Sequence, residues 1–417
     1  MSDKDIVTDY ENLYRAYKKA KSGKRFNSNT ARFQIMALDG IITLQKQLRE
    51  QTYSMGKYNE FEIYEPKRRL IKSCSFKDKL VQHCFCDNIL LPRLKDIFIM
   101  DNCAGQIGKG THFGLDRLKE HMLSFYQEHG LEGWILKCDI RKFFYSIDHE
   151  ILKTIVDKYF PDEYSMWLNR VFIDSTENPG APLGNQVAQV HALLMLHEMD
   201  VEVVNDMGIK RYGRYMDDFY LIHNDKEYLK ECLEKLQNIV TDLKLELNSK
   251  TQIVPFHKGI RYLGFHHYVT ANGKYIRKLT GEKKRSIKKK LKKKAVLVKS
   301  GHLPLEKFME SYNSWKAHVK NGNCVKLCSS MDEYVAELLG GIKMSKGILL
   351  QEGTDGVFER FEAFAKEVVH GEWIIGSKPR CSVCGKSALR EYDREDWLSY
   401  VPSDFWPNCG ADMRKEV

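Results

Sequence analysis

Apolar residues recur along this chain with two periods, and the shifts from one to the other mark its elements. Over residues 1–60 they fall at helical spacing between charged neighbours, as Ile41, Leu44 and Leu48 do. An extended segment from Phe61 to Ile71 follows and carries Lys67, Arg68 and Arg69. Leu80, Val81, Cys84, Ile89 and Leu90 predict a helix from about Phe76 to Leu94. A glycine-rich loop, Gly105 to Thr111, leads into a helix beginning near Leu115. Trp134-Ile135-Leu136-Lys137-Cys138-Asp139-Ile140 reads as a buried strand with an acid at its exit. Next come a helix over 150–159, a polar loop, and a long apolar helix that opens at Pro182-Leu183-Gly184-Asn185-Gln186 and runs to about Met199.

In Arg211-Tyr212-Gly213-Arg214-Tyr215-Met216-Asp217-Asp218-Phe219-Tyr220-Leu221-Ile222, two adjacent carboxylates sit between apolar runs. The pattern predicts two strands meeting at a turn whose tip carries the acids. Leu229, Leu233, Leu236, Ile239, Val240 and Leu243 predict an amphipathic helix over 226–244, and strand signals return at Thr251–Phe256 and Ile260–Val269. Together these elements compose a split β-α-β-like, half-open sheet with helices on one face, leaving the other for a nucleic-acid duplex.

Composition sharpens this picture in three places. The chain has 417 residues, long for one domain, and 43% of them are hydrophobic, enough for a sizeable core. Its net charge of +10 suggests a polyanionic partner because the excess is clustered: residues 274–298 hold 12 Lys and Arg against one acid, Glu282. Such a run is also what a solvated helix face looks like. Tyr262, Phe265, Tyr268, Tyr275, Tyr312 and Trp315 flank or interleave with it, suited to base stacking or to core packing. No apolar run has transmembrane length and no basic-then-apolar leader is present, so a cytoplasmic protein without membrane contact is expected.

Eleven cysteines are scattered, Cys74, Cys84, Cys86, Cys138 and Cys232 within apolar segments as reduced core thiols would be. Cys381, Cys384 and Cys409 differ. They form two knuckles, each followed by Gly, as in a zinc ribbon, with Trp406 where a fourth ligand is expected. Either His370 or Asp404 completes such a site, or it is degenerate.

Paired acids on a rigid hairpin suit a divalent metal, since Mg²⁺ takes few protein carboxylates and shares its remaining shell with substrate phosphates. Asp139 at its strand exit can supply a third carboxylate. Taken alone, Asp217-Asp218 reads as a solvated turn, Asp139 as a metal ligand or a cap of the following turn, and Gly105–Thr111 as a plain loop-to-helix turn rather than a phosphate cradle.

The ordered blocks resemble a reverse transcriptase, specifically the bacterial group of diversity-generating retroelement, group II intron-like and defence-associated enzymes. Arg69-Leu70-Ile71 with Lys77-Asp78-Lys79-Leu80-Val81-Gln82 is similar to the first fingers block, and Gly108-Lys109-Gly110-Thr111 to the second. Asp139-Ile140-Arg141-Lys142-Phe143-Phe144 resembles the metal-binding strand block, and Leu183-Gly184-Asn185-Gln186-Val187-Ala188-Gln189 the block lining nucleotide and template base. The aliphatic-Gly start and final Gln are the diversity-generating pattern, with Ala188 in place of Ser. Tyr215-Met216-Asp217-Asp218 resembles the catalytic box, Asn248-Ser249-Lys250-Thr251 the lysine-bearing block, and Tyr262-Leu263-Gly264-Phe265 the primer grip.

The resemblance implies an α+β right-hand polymerase fold with fingers, an antiparallel palm sheet, a helical thumb and a small C-terminal zinc-ribbon-like module. The expected divisions are a helical extension at 1–60, fingers and palm at 61–270, a basic thumb at 271–335, a helical linker at 336–376 and the zinc-ribbon-like module at 377–417. It implies two Mg²⁺ ions held by Asp139, Asp217, Asp218 and the Ile140 carbonyl, with Lys250 donating a proton to pyrophosphate. Arg69 and Lys109 would meet triphosphate, Phe144 would exclude a ribose 2′-hydroxyl, and Gln189 and Met216 would contact nucleotide. The implied partners are an RNA template, nascent cDNA, dNTPs, a structured RNA and a small accessory protein. Two other readings compete. An RNA-dependent RNA polymerase would prefer a small or polar gate and Gly before the paired acids, and a non-catalytic RNA-binding or splicing helper would not need all three acids.

Overall fold

The computed structural model describes residues 1–23, 28–64 and 68–340, with short strands at 343–345, 348–352, 358–361, 373–374 and 380–381. The chain divides into two compact units, Met1–Thr280 and Gly281–Val417.

The first unit opens with four helices, α1 (Asp3–Val7), α2 (Tyr10–Lys21), α3 (Ser28–Ile35) and α4 (Ala37–Arg49). Ile41, Leu44 and Leu48 turn inward from α4, as their spacing predicts. Strands β1 (Asn59–Ile63) and β2 (Arg69–Ser73) pair antiparallel. Ser75 caps α5 (Phe76–Phe85), which continues through a π-helical turn at Cys86–Leu90 into α6 (Leu91–Leu94). Helix α7 (Thr111–His129) precedes the central strand β3 (Trp134–Asp139).

After the single turn α8 (Phe143–Ser146), helices α9 (His149–Tyr159) and α10 (Glu163–Ile173) start from the caps Asp148 and Asp162. Residues 163–173, expected as part of a polar loop, are thus helical: Tyr164, Leu168 and Phe172 recur every four residues and are buried. The expected long helix to Met199 is broken into α11 (Gln186–Met195) and α12 (His197–Val201), and a π turn at Glu202–Asp206 follows.

Strands β4 (Tyr212–Tyr215) and β5 (Asp218–His223) form the hairpin, and α13 (Lys226–Asp242) connects it to β6 (Gln252–Pro255). The sheet order is β4-β5-β3-β6, every pair antiparallel. Alternation along these strands divides two cores. Leu136, Cys138, Phe219 and Leu221 join a cluster with Leu229, Cys232, Leu236 and Val240 of α13. Ile135, Tyr220 and Ile222 join another with Leu118, Met122 and Phe125 of α7. Helices therefore cover both faces, not one as expected, because β3 carries apolar residues on each, Ile135 on one and Leu136 and Cys138 on the other, and neither face can be left in water. What stays open is the strand ends around Asp139.

Strands β7 (Ile260–Tyr262), β8 (Phe265–Val269) and β9 (Tyr275–Leu279) form a second antiparallel sheet, so the first unit runs past residue 270 into the start of the basic run. In the second unit, α14 (Gly281–Lys299), α15 (Leu305–Val319) and α16 (Val325–Leu338) share one core. Ile287, Leu291 and Ala295 meet Phe308, Met309, Tyr312, Met331 and Val335 there. The lysines of α14 occupy its remaining faces. Of the expected helical linker, the described pieces beyond α16 are strands: β10 (Lys343–Ser345), β11 (Ile348–Glu352), β12 (Phe358–Phe361) and β13 (Trp373–Ile374), the last paired with β14 (Arg380–Cys381). Short apolar runs such as Ile348-Leu349-Leu350 do not separate strand from helix by period. Cys384, Trp406 and Cys409, with His370 and Asp404, lie outside the described residues, and Cys381 is described only as a strand position.

Among the described residues no helix is long and apolar enough to cross a membrane, and Cys74, Cys84, Cys86, Cys103, Cys138, Cys232 and Cys324 are buried free thiols. Gly259 sets the approach of β7 to β8: its φ is +65°, and a Cβ there would lie 1.8 Å from the His267 carbonyl oxygen. Gly208 has a similar φ of +61° with open space around it. Gly259→Ala should lower the stability of the first unit by about 2–5 kcal/mol, against about 1 kcal/mol for Gly208→Ala. Equal urea midpoints for the two variants would contradict this.

Candidate active site

Asp139 closes β3 and lies opposite Asp218, the first residue of β5, while Tyr215 of β4 pairs with the same Asp218. Met216 and Asp217 are therefore the two residues of a tight hairpin turn. Met216 has φ +57°, the conformation glycine adopts most readily. The Ile140 N–H donates to the Asp217 carbonyl at 3.1 Å, which joins the turn to the end of β3.

A cavity of about 620 Å³ opens at this corner. Asp139, Ile140, Phe144, Met216, Asp217 and Asp218 line it together with Arg69 from β2 and Leu183. The fingers hairpin reaches the corner through its backbone, the Lys72 N–H donating to the Leu183 carbonyl at 3.2 Å. The Phe144 carbonyl accepts from the Ala181 N–H at 2.7 Å, which fixes the backbone carrying that ring.

The three acids have different surroundings. Asn248 holds Asp139 twice: its Nδ2 donates to Asp139 Oδ2 at 2.8 Å and its backbone N–H to the Asp139 carbonyl at 2.7 Å. Burial pushes the Asp217 carboxyl above the usual range, and the Asp139 charge adds to the rise while Lys137 and Arg69 oppose it. Asp218 is in ion-pair contact with Lys137, whose ammonium burial pushes down to about 8. The same ammonium stands 5.4 Å from the centre of the Tyr262 ring.

Among the described residues no three His, Cys, Asp or Glu side chains converge closely enough to cage a metal by themselves. Mg²⁺ does not need such a cage, because one or two carboxylates suffice when substrate phosphates fill the remaining positions. Asp139 and Asp217, two hard anions in a half-buried cavity, with the first raising the proton affinity of the second, are a donor set that fits a divalent cation.

Other expected contacts fall elsewhere. Lys109 faces a separate cavity of about 430 Å³ lined by Asp87, Leu91, Leu94, Lys95, Phe98 and Gln106. Its ammonium donates to the Ile99 carbonyl at 3.3 Å. Gln189 and Lys250 are exposed, and neither lines the Asp139 cavity. Within the 248–251 block, Asn248 is the residue that meets Asp139.

Sequence reasoning missed Lys137, whose signal was a charge inside an apolar strand two residues before Asp139 and so on its face. It also missed Arg214. This guanidinium is fully buried, forks onto Asp200 with Nε to Oδ1 at 2.7 Å, and donates to the carbonyls of Met216 at 3.0 Å and Leu193 at 3.2 Å.

Residues 64–267, just under half of the chain, match the family model for reverse transcriptase (RNA-dependent DNA polymerase), a nucleotidyltransferase. They constitute a reverse transcriptase domain. No curated protein sequence matches the chain. Among solved structures, telomerase from Candida albicans in complex with a TWJ fragment of telomeric RNA is similar at 12% identity and TM-score 0.46, over 71% of this chain and 56% of that one. Apo telomerase from Candida tropicalis gives 10% identity and TM-score 0.42, over 52% and 48%. Its form truncated from the C-terminal domain gives 11% and 0.43, over 58% and 60%. The chain thus spans about half the length of the telomerase chains it matches.

The raised Asp217 has a consequence for stability. Its folded carboxyl binds a proton more tightly than the unfolded one, so ionised Asp217 costs stability above the raised value, and that cost disappears as pH falls through it. In EDTA at pH 8, Asp217→Asn should raise the melting temperature by about 2–4 °C, and the gain should shrink toward pH 4. A pH-independent difference, or none, would refute the account.

Proposed function

We propose that this chain, whose residues 64–267 form a reverse transcriptase domain, copies an RNA template into DNA at the cavity between β3 and the β4–β5 turn. The observation that supports this most directly is the meeting of Asp139, at the end of β3, and Asp217, in the β4–β5 turn, in one cavity with Arg69 and Phe144. Two Mg²⁺ ions bound there would activate the primer 3′-hydroxyl and neutralise charge on the triphosphate. Asp139 and Asp217 would hold them, with Asp218 and the Ile140 carbonyl as further oxygens at the same corner.

The chain's own groups do the rest. Arg69 offsets the negative charge of the incoming triphosphate from the β2 side. Asn248 fixes the Asp139 carboxylate, and Lys137 balances the charge of Asp218. Phe144 presents a ring where a small side chain would leave room for a 2′-hydroxyl, which favours deoxynucleotides by exclusion. The lysines of α14 give the second unit a surface suited to a phosphate backbone.

The resemblance to the bacterial group supports a finer reading: a retroelement or antiphage defence enzyme of the cytoplasm, working with a cognate structured RNA and a small accessory protein. Zinc at Cys381, Cys384 and Cys409 rests on their spacing alone.

Primer extension on an RNA template with dNTPs and Mg²⁺ tests the assignment. Asp139→Ala and Asp217→Ala should each lower incorporation by on the order of 10³ or more, and activity equal to wild type in either would overturn it. Phe144→Ala should leave dNTP incorporation measurable while discrimination against ribonucleotides falls by about 10- to 200-fold. Unchanged discrimination would remove Phe144 from that role.

A further inference from the structure

Behind the turn that presents Asp217 lies an ion pair of which neither residue lines the cavity. Arg214 of β4 and Asp200 of α12 are both fully buried and joined by two parallel hydrogen bonds, and the Tyr212 hydroxyl donates to Asp200 Oδ1 at 2.6 Å. Burying two charges is costly, and well-packed apolar side chains of similar volume often stabilise a fold as well or better. Stability alone therefore does not account for a guanidinium at this position.

An apolar side chain could not hold the turn. Arg214 Nη1 donates to the carbonyl of Met216 at 3.0 Å, and Met216 is the turn residue at φ +57°. For a residue with a Cβ that conformation costs on the order of 1–2 kcal/mol, and it persists only where its surroundings impose it. The Met216 carbonyl belongs to the peptide plane that leads into Asp217. The next plane, leading out of Asp217, is held by the Ile140 N–H. Both peptides flanking the carboxylate are thus pinned, one by Arg214 and one by β3.

Arg214 is itself fixed from behind. Its N–H donates to the Asp101 carbonyl at 3.0 Å, its carbonyl accepts from the Cys103 N–H at 2.8 Å, and Nη2 donates to the Leu193 carbonyl at 3.2 Å. The guanidinium fork reaches a carboxylate on α12, a carbonyl on α11 and a carbonyl in the turn, which a lysine's single ammonium could not do in the same plane.

We propose that the Arg214–Asp200 pair is a positioning device for the reaction: through the Met216 carbonyl it holds the Asp217 turn in its binding geometry before metal or nucleotide arrives. This deepens the polymerase reading and rests on it. Neither residue is catalytic, since both act through the turn.

The test separates positioning from simple support of the fold. Asp200→Leu with Arg214→Met removes both charges at once, and Tyr212→Phe is added because that hydroxyl would lose its acceptor. The full-length triple variant should fold, with a single melting transition near that of wild type, because an apolar cluster replaces the pair without leaving a stranded charge. Mn²⁺ binding by the nucleotide-free protein, read by electron paramagnetic resonance, should nonetheless weaken by about 10- to 100-fold. The kcat for single-nucleotide incorporation should fall by a similar factor while KM for template-primer stays within about twofold. Arg214→Lys, which keeps the charge but not the fork, should show a smaller loss of the same kind. A folded triple variant with wild-type Mn²⁺ affinity and kcat would overturn the proposal. A wild-type chain that neither incorporates dNTPs on RNA nor binds Mn²⁺ would overturn the polymerase reading and this inference with it.

Discussion

Two carboxylates of like charge sit side by side at the open end of a sheet, and the first unit is organised by what it takes to keep them there. Repulsion and burial both favour moving them apart or protonating one, as the raised Asp217 shows. The structure opposes this with fixed groups. Register pairing sets Asp139 against the first residue of β5, Asn248 grips Asp139, and Arg214 and Ile140 pin the peptides on either side of Asp217. The two cores that sandwich the sheet, one against α13 and one against α7, supply the rigidity that these hydrogen bonds need.

This arrangement was legible in the sequence where the signal was local and periodic. The apolar run ending at Asp139, the acids at the hairpin tip and the amphipathic α13 all follow from period and turn chemistry within one short window. The helix α10 was hidden because Asn, Arg and Ser separate its apolar positions, so the segment resembles a loop until its fourfold spacing is counted. The cover on the second face of the sheet was hidden because α7 precedes β3 in the chain, and nothing local tells which face a neighbouring helix takes.

The site's supporting residues were illegible for a different reason. Asp200 and Arg214 meet across a helix and a strand, and no spacing rule links them. Each alone looks like a surface charge. Lys137 reads as a polar interruption until the register places it beside Asp218. Lys109 is the converse case: the resemblance implies a phosphate contact, and the loop turns that ammonium toward the Ile99 carbonyl and another cavity. Motif chemistry gives the kind of group, while tertiary packing decides where it points.

The adjacent acids at the turn show how far this division goes. Asp217 and Asp218 both line the cavity, but only Asp218 is in ion-pair contact with Lys137. Asp217 belongs to the turn, where two pinned peptides aim it into the cavity with Asp139. Asp218 begins β5 and pairs with both neighbours, and its side chain meets the Lys137 ammonium. That contact keeps a third negative charge from adding fully to the repulsion between the other two. It also ties the end of β5 to β3 on the face where Tyr262 closes over the lysine. The dipeptide thus divides its work: one carboxylate is left under-compensated and available to a cation, and its neighbour is compensated in advance and holds the strands that position the first.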